Sequence, residues 1–137
     1  MSEVEEAISK YIQNVDDNWN YITPKDLNKR ILDNDVEDLF LLDIRKPEDY
    51  IKGHIPGSTN IFWLDLFKPE SLEKLPKDKT IVLICYVGHT ASQSMAFLEL
   101  LGYDVVVLKF GMGISPVEEI PISGWSEMGF DLELGES

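Results

Sequence analysis

Three short apolar runs constrain the fold of this 137-residue chain more than any other feature of its sequence. They lie at 39–42, 81–84 and 105–108, and each consists only of Leu, Ile, Val or Phe. Successive side chains of a strand point to opposite faces, so an unbroken apolar run predicts a strand that is buried on both faces. Strands of this kind are typical of parallel sheets covered by helices, and the runs therefore predict an α/β domain.

Helical patterns lie between these runs. The clearest covers 90–101, where apolar residues recur at helical spacing, and Gly102 follows at the position typical of a helix C-terminus. Shorter strands are predicted at 21–22 and 59–62. Because strands and helices alternate, we predict a doubly wound fold with helices on both faces of a mostly parallel sheet. In such folds ligands bind beyond the carboxyl ends of the strands.

The chain is expected to form one domain with an N-terminal appendage. Residues 1–20 carry apolar side chains at helical spacing between acidic ones, which predicts a helix packed on the domain. An exposed helix that binds a partner is the alternative. The domain itself is predicted to span 21–137.

Charge and composition argue against several classes of function. The net charge is −13 and the pI is about 4.4, so the chain repels phosphate backbones and is not expected to bind nucleic acid. No stretch is long and apolar enough to span a membrane, and the acidic start lacks the features of a signal peptide. Together with a free thiol, these features predict a cytoplasmic protein.

Cys85 is the only cysteine and closes the apolar run 81–84. The loop between it and the next helix consists of Tyr86, Val87, Gly88, His89 and Thr90. Unpaired amides and the positive end of the helix dipole would stabilise a thiolate there, and Gly88 permits a curl that aims successive amides inward. We interpret Cys85 as a nucleophile, with a simply buried core cysteine as the alternative.

The other residues of this loop are open to more than one interpretation. His89 either donates a hydrogen bond to an anionic substrate or is an exposed loop residue. Thr90 either caps the helix or also presents its hydroxyl to the ligand. A single cysteine excludes an internal disulfide, a Cys-rich zinc site and an internal resolving thiol. We predict neither a metal nor a cofactor.

Two motifs resemble those of the rhodanese-like sulfurtransferases. The first runs through 42–61 and reads Leu-Asp-Ile-Arg-x-x-x-Asp-Tyr-x-x-Gly-His-Ile-x-Gly-Ser-x-Asn-Ile, and the second is the loop 85–92, Cys-Tyr-Val-Gly-His-Thr-Ala-Ser. The resemblance implies a five-stranded, mostly parallel sheet. It also implies that Cys85 takes sulfane sulfur from a donor such as thiosulfate and passes it from a persulfide to an acceptor, which is cyanide in the standard assay. The amides of 86–90 would stabilise that persulfide.

The first motif is interpreted as mainly architectural. Arg45 and Asp49 are four positions apart and are predicted to pair on a short helix that begins at Pro47. Tyr50 and Ile55 are predicted to anchor the core. Arg45 is the residue of this motif best placed to reach the pocket.

The chain departs from the family pattern at two places. Many members carry an arginine five positions after the cysteine, where this chain has Thr90, and no Lys or Arg occurs from 86 to 103. An anionic donor would therefore depend mainly on backbone amides and the helix dipole. In the family a tryptophan shortly follows the glycines after the last strand, whereas here 113–123 intervenes before Gly124 and Trp125. We interpret this segment as an inserted surface loop.

Two other functions are open to a chain with this resemblance. Phosphatases that share the fold need an arginine to grip the phosphoryl oxygens, and Ala91 stands six positions after Cys85 where that arginine would be, which argues against phosphatase activity. A non-enzymatic docking module is the alternative to a sulfurtransferase. The two are compatible, because a sulfur relay can deliver its sulfur to an acceptor protein.

Overall fold

The computed structural model describes residues 1–113 and 124–136. The helices are α1 (Glu3–Gln13), α2 (Pro24–Leu32), α3 (Pro47–Lys52), α4 (Pro69–Leu72) and α5 (His89–Leu100). The strands are β1 (Tyr21–Ile22), β2 (Leu39–Asp43), β3 (Thr59–Asn60), β4 (Thr80–Ile84) and β5 (Asp104–Leu108). None of the helices in the described residues has both the length and the apolar character that crossing a membrane requires. The surface loop predicted at 113–123 lies outside the described residues, apart from Gly113.

The five strands form one sheet in the order β1-β5-β4-β2-β3, and every neighbouring pair is parallel. The three apolar runs form its central strands, as predicted. From β2 the chain moves outward to β3, and from β4 it moves outward to β5 on the other side. The carboxyl ends of β2 and β4 therefore lie where the connections diverge, which is where ligands bind in open α/β sheets.

The two faces of the sheet carry separate hydrophobic cores. One core joins the sheet to α5 and includes Leu83 and Leu98, both fully buried. The other joins the sheet to α2 and includes Ile84, Leu27 and Trp125. Leu83 and Ile84 are successive on β4 and enter opposite cores, as the alternation of side chains along a strand requires. The prediction of helices on both faces is confirmed.

Helix α1 lies against α5 but contains no buried residue. A capping box closes its N-terminus, because Ser2 Oγ accepts from the Glu5 amide at 3.1 Å and Glu5 accepts from the Ser2 amide at 3.2 Å. Val4, Ile8 and Ile12 recur every four residues along the helix and are 63%, 44% and 64% exposed. One apolar stripe of this N-terminal helix therefore faces solvent.

Several element boundaries differ from the sequence predictions by one or two residues. Strand β3 has two residues rather than the four of 59–62. Helix α5 begins at His89, because Gly88 occupies the N-cap position with a φ of 99°, a left-handed conformation that glycine adopts readily. Thr90 is therefore the second residue of the helix and does not cap it.

Candidate active site

Cys85 directly follows β4, the middle strand of the sheet. The pairing between β2 and β4 continues to this point, since the Ile44 amide donates to the Ile84 carbonyl at 2.8 Å. The thiol is free, and the residue is only 1% exposed. Two central strands thus hold the sulfur at the edge of the sheet where this fold binds ligands.

The Gly88 amide donates a hydrogen bond to Cys85 Sγ at 3.0 Å. This contact closes the loop between β4 and α5 into a tight curl, which the left-handed φ of Gly88 permits. Gly88 is also the N-cap of α5, so the positive end of the helix dipole lies beside the same sulfur. An N–H donor and a helix N-terminus both stabilise negative charge, and the geometry therefore suits a thiolate or a persulfide anion.

The other residues of the loop differ from one another in burial and in contacts. Val87 and Thr90 are half-buried, and His89 is exposed as the first residue of α5. Tyr86 sends its hydroxyl to the start of α3. Among the described residues, the Gly88 amide is the backbone donor that bonds to the sulfur. Across all of the described residues, no three His, Cys, Asp or Glu side chains come together as a metal ion would require.

A glycine-rich turn after β5 supports the backbone of the nucleophile. The Met112 amide donates to the Cys85 carbonyl and the Gly113 amide donates to the Tyr86 carbonyl, both at 2.9 Å. A β-carbon on Gly111 would lie 2.3 Å from the Cys85 carbonyl oxygen, which is closer than real side chains approach. Glycine at this position therefore lets the turn come close enough to fix Cys85.

Gly124 and Trp125 return the chain to the same turn. The Trp125 amide donates to the Gly111 carbonyl at 2.9 Å, and the side chain is buried in the core beside α2. A β-carbon on Gly124 would lie 2.3 Å from the Gly113 nitrogen, so the two glycines are in direct contact. The residues on either side of 114–123 therefore lie side by side.

Arg45 makes structural contacts. Its Nη2 donates to Asp43 Oδ2 and to the Gly53 carbonyl, both at 2.8 Å, and the residue is buried. The predicted pair between Arg45 and Asp49 is wrong, because Arg45 precedes α3 and its side chain turns back to the end of β2. Its guanidinium carbon lies 6.0 Å from the centre of the Tyr86 ring. Arg45 thus joins β2 and the end of α3 next to the active-site loop.

Three other predictions for the first motif are confirmed, whereas the expectation that Arg45 reaches the pocket stays a prediction. Pro47 is the first residue of α3, and Tyr50 and Ile55 are both buried. His54 stacks on Tyr50 with ring centres 3.7 Å apart, and its Nε2 lies 2.7 Å from Glu133 Oε2. The motif therefore forms turns around the sheet, and it also contacts the C-terminal segment through His54.

The hydroxyl of Tyr86 lies between two groups at the start of α3. It donates to the Asp49 carboxylate and accepts a hydrogen bond from the Lys46 amide at 3.2 Å. Burial, followed by the hydrogen bond to Asp49, raises the pKa of Tyr86 to about 12. Sequence reasoning missed this contact, because Tyr86 and Asp49 are 37 positions apart and no local spacing relates them.

We expect alkaline pH to destabilise the protein partly through Tyr86. The pKa of this phenol in the folded protein, about 12, lies above its ordinary value of 10.0. Its contribution to stability is therefore fully present below about pH 10 and is lost as the pH rises toward the folded value. Urea unfolding from about pH 8 to pH 11 measures the effect. The free energy of unfolding should fall more steeply for the wild type than for Tyr86→Phe, and equal slopes would contradict the assignment.

Comparison with known proteins identifies the family of this chain. Residues 23–113 match the family described as Rhodanese-like domain. A sulfurtransferase of Allochromatium vinosum is 33% identical over 88 residues, which cover 64% of this chain and 78% of that protein. A thiosulfate sulfurtransferase of Pseudoalteromonas translucida is 31% identical over 72 residues, covering 53% and 67% respectively. The crystal structure of a rhodanese-related protein from Thermoplasma volcanium has a TM-score of 0.66 at 27% identity, covering 85% of this chain and 99% of that one. The chain therefore belongs to the rhodanese-like domain family.

Proposed function

We propose that this protein is a sulfurtransferase in which Cys85 carries sulfane sulfur as a persulfide. The observation that supports this most is the hydrogen bond from the Gly88 amide to Cys85 Sγ at 3.0 Å, at the N-terminus of α5. This donor would stabilise the thiolate before the reaction and the persulfide after it. The names of the two relatives describe activities of the same general kind.

The first half-reaction loads the cysteine, here with thiosulfate as the donor. The Cys85 thiolate attacks the sulfane sulfur, a new S–S bond forms to Sγ, and the S–S bond of thiosulfate breaks. Sulfite leaves with the electron pair of the broken bond. The total charge is unchanged and no oxidant is needed, because the thiolate and the thiosulfate dianion become a persulfide anion and a sulfite dianion.

The second half-reaction returns the cysteine to the thiolate. An acceptor anion, cyanide in an assay, attacks the outer sulfur, and the S–S bond to Cys85 breaks with its electron pair remaining on Sγ. Thiocyanate leaves when cyanide is the acceptor. Because Cys85 is the only cysteine in the chain, the sulfur passes to a molecule outside it, either a small nucleophile or a protein thiolate.

In this proposal the loop backbone, rather than a basic side chain of the loop, holds the substrate anion. The outer sulfur of a persulfide would lie about 2 Å beyond Sγ, next to the loop 86–90 whose Gly88 amide already donates to Sγ. His89 is exposed at the start of α5 and can donate to the oxygens of the donor. Arg45 acts as a positioning residue, because its Nε and Nη2 already bond to Asp43 and Gly53.

Intact-mass measurement tests the proposal. Incubation with thiosulfate, followed by removal of the excess donor, should add the mass of one sulfur atom to each protein molecule. Cyanide should then remove this mass and release an equal amount of thiocyanate. A protein that gains no sulfur from thiosulfate or from a small persulfide donor would not be a sulfurtransferase.

A docking module is the second candidate function, and the surface of α1 favours it. Val4, Ile8 and Ile12 form an apolar stripe that faces solvent, and the first turn of the helix is acidic. With a net charge of −13 on the chain, this surface suits a basic partner protein better than a second copy or an anionic membrane. Salt-sensitive binding of a basic protein, without any sulfur loading, would leave docking as the function.

A further inference from the structure

Tyr86 directly follows the nucleophile, and its hydroxyl completes the N-terminus of a different element. Lys46 is the N-cap of α3 and has no side-chain cap, while Asp49 is the third residue of the helix. In a capping box the N-cap amide donates directly to the side chain at that third position. Here the Tyr86 hydroxyl stands between the two groups, accepting from the Lys46 amide and donating to the Asp49 carboxylate. Tyr86, a residue of the active-site loop, therefore caps the N-terminus of α3 although the two are far apart in the sequence.

This contact adds to other restraints on the loop. The backbone of Cys85 and Tyr86 is held by the Met112 and Gly113 amides. The Gly88 amide is held on the sulfur itself. The side chain of Tyr86 adds the only one of these restraints that reaches α3, and it acts on the residue between the nucleophile and the curl.

The chemistry of the phenol favours a structural role over a role in proton transfer. With its pKa raised to about 12, the hydroxyl stays protonated at neutral pH and is a poor general acid there. As a neutral group it keeps both of its hydrogen bonds over the pH range in which a cysteine thiolate would react. Its effect on the sulfur can pass only through the loop.

We propose that Tyr86 is a positioning residue for sulfur transfer, whose hydroxyl holds the loop against α3 so that the Gly88 amide stays aimed at the Cys85 sulfur. This inference rests on the proposed function. It assigns a role to a side chain that does not touch the reacting atoms, and it makes Asp49 the partner through which that role operates.

The change Tyr86→Phe tests the role, with Tyr103→Phe as the matched control. Tyr103 is also a mostly buried tyrosine, and its hydroxyl donates to the Leu72 carbonyl at 3.2 Å, outside the active-site loop. We expect Tyr86→Phe to lower the second-order rate constant of sulfur loading from thiosulfate by about tenfold, because small displacements of aligned groups have large kinetic effects. Tyr103→Phe should stay within about twofold of the wild type. Circular dichroism at the assay temperature establishes that each variant is folded.

Substitutions of Asp49 separate positioning from general stability. Asp49→Asn keeps a side-chain oxygen that accepts from the Tyr86 hydroxyl and should retain most of the loading rate. Asp49→Ala removes the acceptor and should be slowed as much as Tyr86→Phe. The double variant Tyr86→Phe/Asp49→Ala should be no slower than either single variant, because both changes break one contact. Independent, multiplicative losses would contradict the proposal.

A spectroscopic readout reports on the loop directly. The amide proton of Gly88 should shift in the NMR spectrum of Tyr86→Phe and remain in place in Tyr103→Phe. Wild-type loading combined with equal rates in the two tyrosine variants would overturn the positioning role alone. A wild-type protein that gains no sulfur from any donor would overturn the proposed function, and this role with it.

Discussion

Replacing Cys85 with serine should abolish sulfur loading and thiocyanate formation, lowering the rate by about a thousandfold or more. A serine hydroxyl is not ionised at neutral pH, and its oxygen cannot form the S–S bond in which the transferred sulfur is carried. No other side chain can take over, because the chain contains no second cysteine. Thiocyanate production and intact mass after thiosulfate treatment measure the two halves of the effect.

The control for this variant must be another buried side chain of similar size. Ser94 lies on α5, is fully buried and has no hydrogen-bond partner for its Oγ among the described residues. Ser94→Ala should therefore keep both loading and turnover. A Cys85→Ser protein that still acquired sulfur from thiosulfate would show that the sulfur resides elsewhere and would refute the persulfide mechanism.

Replacing Gly111 with alanine should cost about 3 kcal/mol or more of folding stability, because it combines an unfavourable backbone conformation with overpacking. The residue has a φ of 57°, and the added β-carbon would lie 2.3 Å from the oxygen and 2.9 Å from the carbon of the Cys85 carbonyl. Both contacts are to backbone atoms, so no side chain can move aside. Relief of the clash requires the turn and the Cys85 backbone to move apart, which breaks the support of the nucleophile, and sulfur loading should fall along with the free energy of unfolding.

Gly57→Ala is the matched control, because Gly57 also has a positive φ, 84°, but nothing lies within 4 Å of an added β-carbon. That variant should lose only about 1 kcal/mol, the cost of the conformation alone. Urea unfolding of both variants measures the difference, which isolates the contribution of the close approach to Cys85. Equal stabilities, or unimpaired sulfur loading by folded Gly111→Ala, would show that the turn does not fix the nucleophile.

The sequence was sufficient to predict the centre of the fold. The three apolar runs predicted β2, β4 and β5 correctly because both faces of these strands are covered, which leaves a signal at every position of the run. The start of α5 was one residue off because Gly88, rather than a hydroxyl side chain, occupies the N-cap. That choice depends on a left-handed backbone angle, which residue preferences at helix starts do not reveal.

The predictions for the candidate site likewise succeeded where the signal was local and failed where it depended on distant residues. The position of Cys85 after β4 followed from the end of an apolar run, which is a local signal. The pairing of Arg45 with Asp49 failed because the four-residue spacing applies only when both residues belong to one helix, and Arg45 lies before α3. The true partners, Asp43 for Arg45 and Tyr86 for Asp49, depend on how a strand end and a distant loop meet in space.

The contact between Gly113 and Gly124 has a consequence for how this protein can diverge or be redesigned. Because the two flanking glycines touch, the chain leaves and re-enters the described part of the structure at one point, and the number of residues between them does not set the register of the sheet or the position of the nucleophile. The free energy of closing a longer segment between two fixed ends rises only slowly, by about 0.6 kcal/mol for each doubling of its length. Residues between the two glycines can therefore be gained, lost or exchanged for a recognition peptide while the surroundings of the thiol stay the same. The junction is thus a suitable place to introduce a new binding specificity.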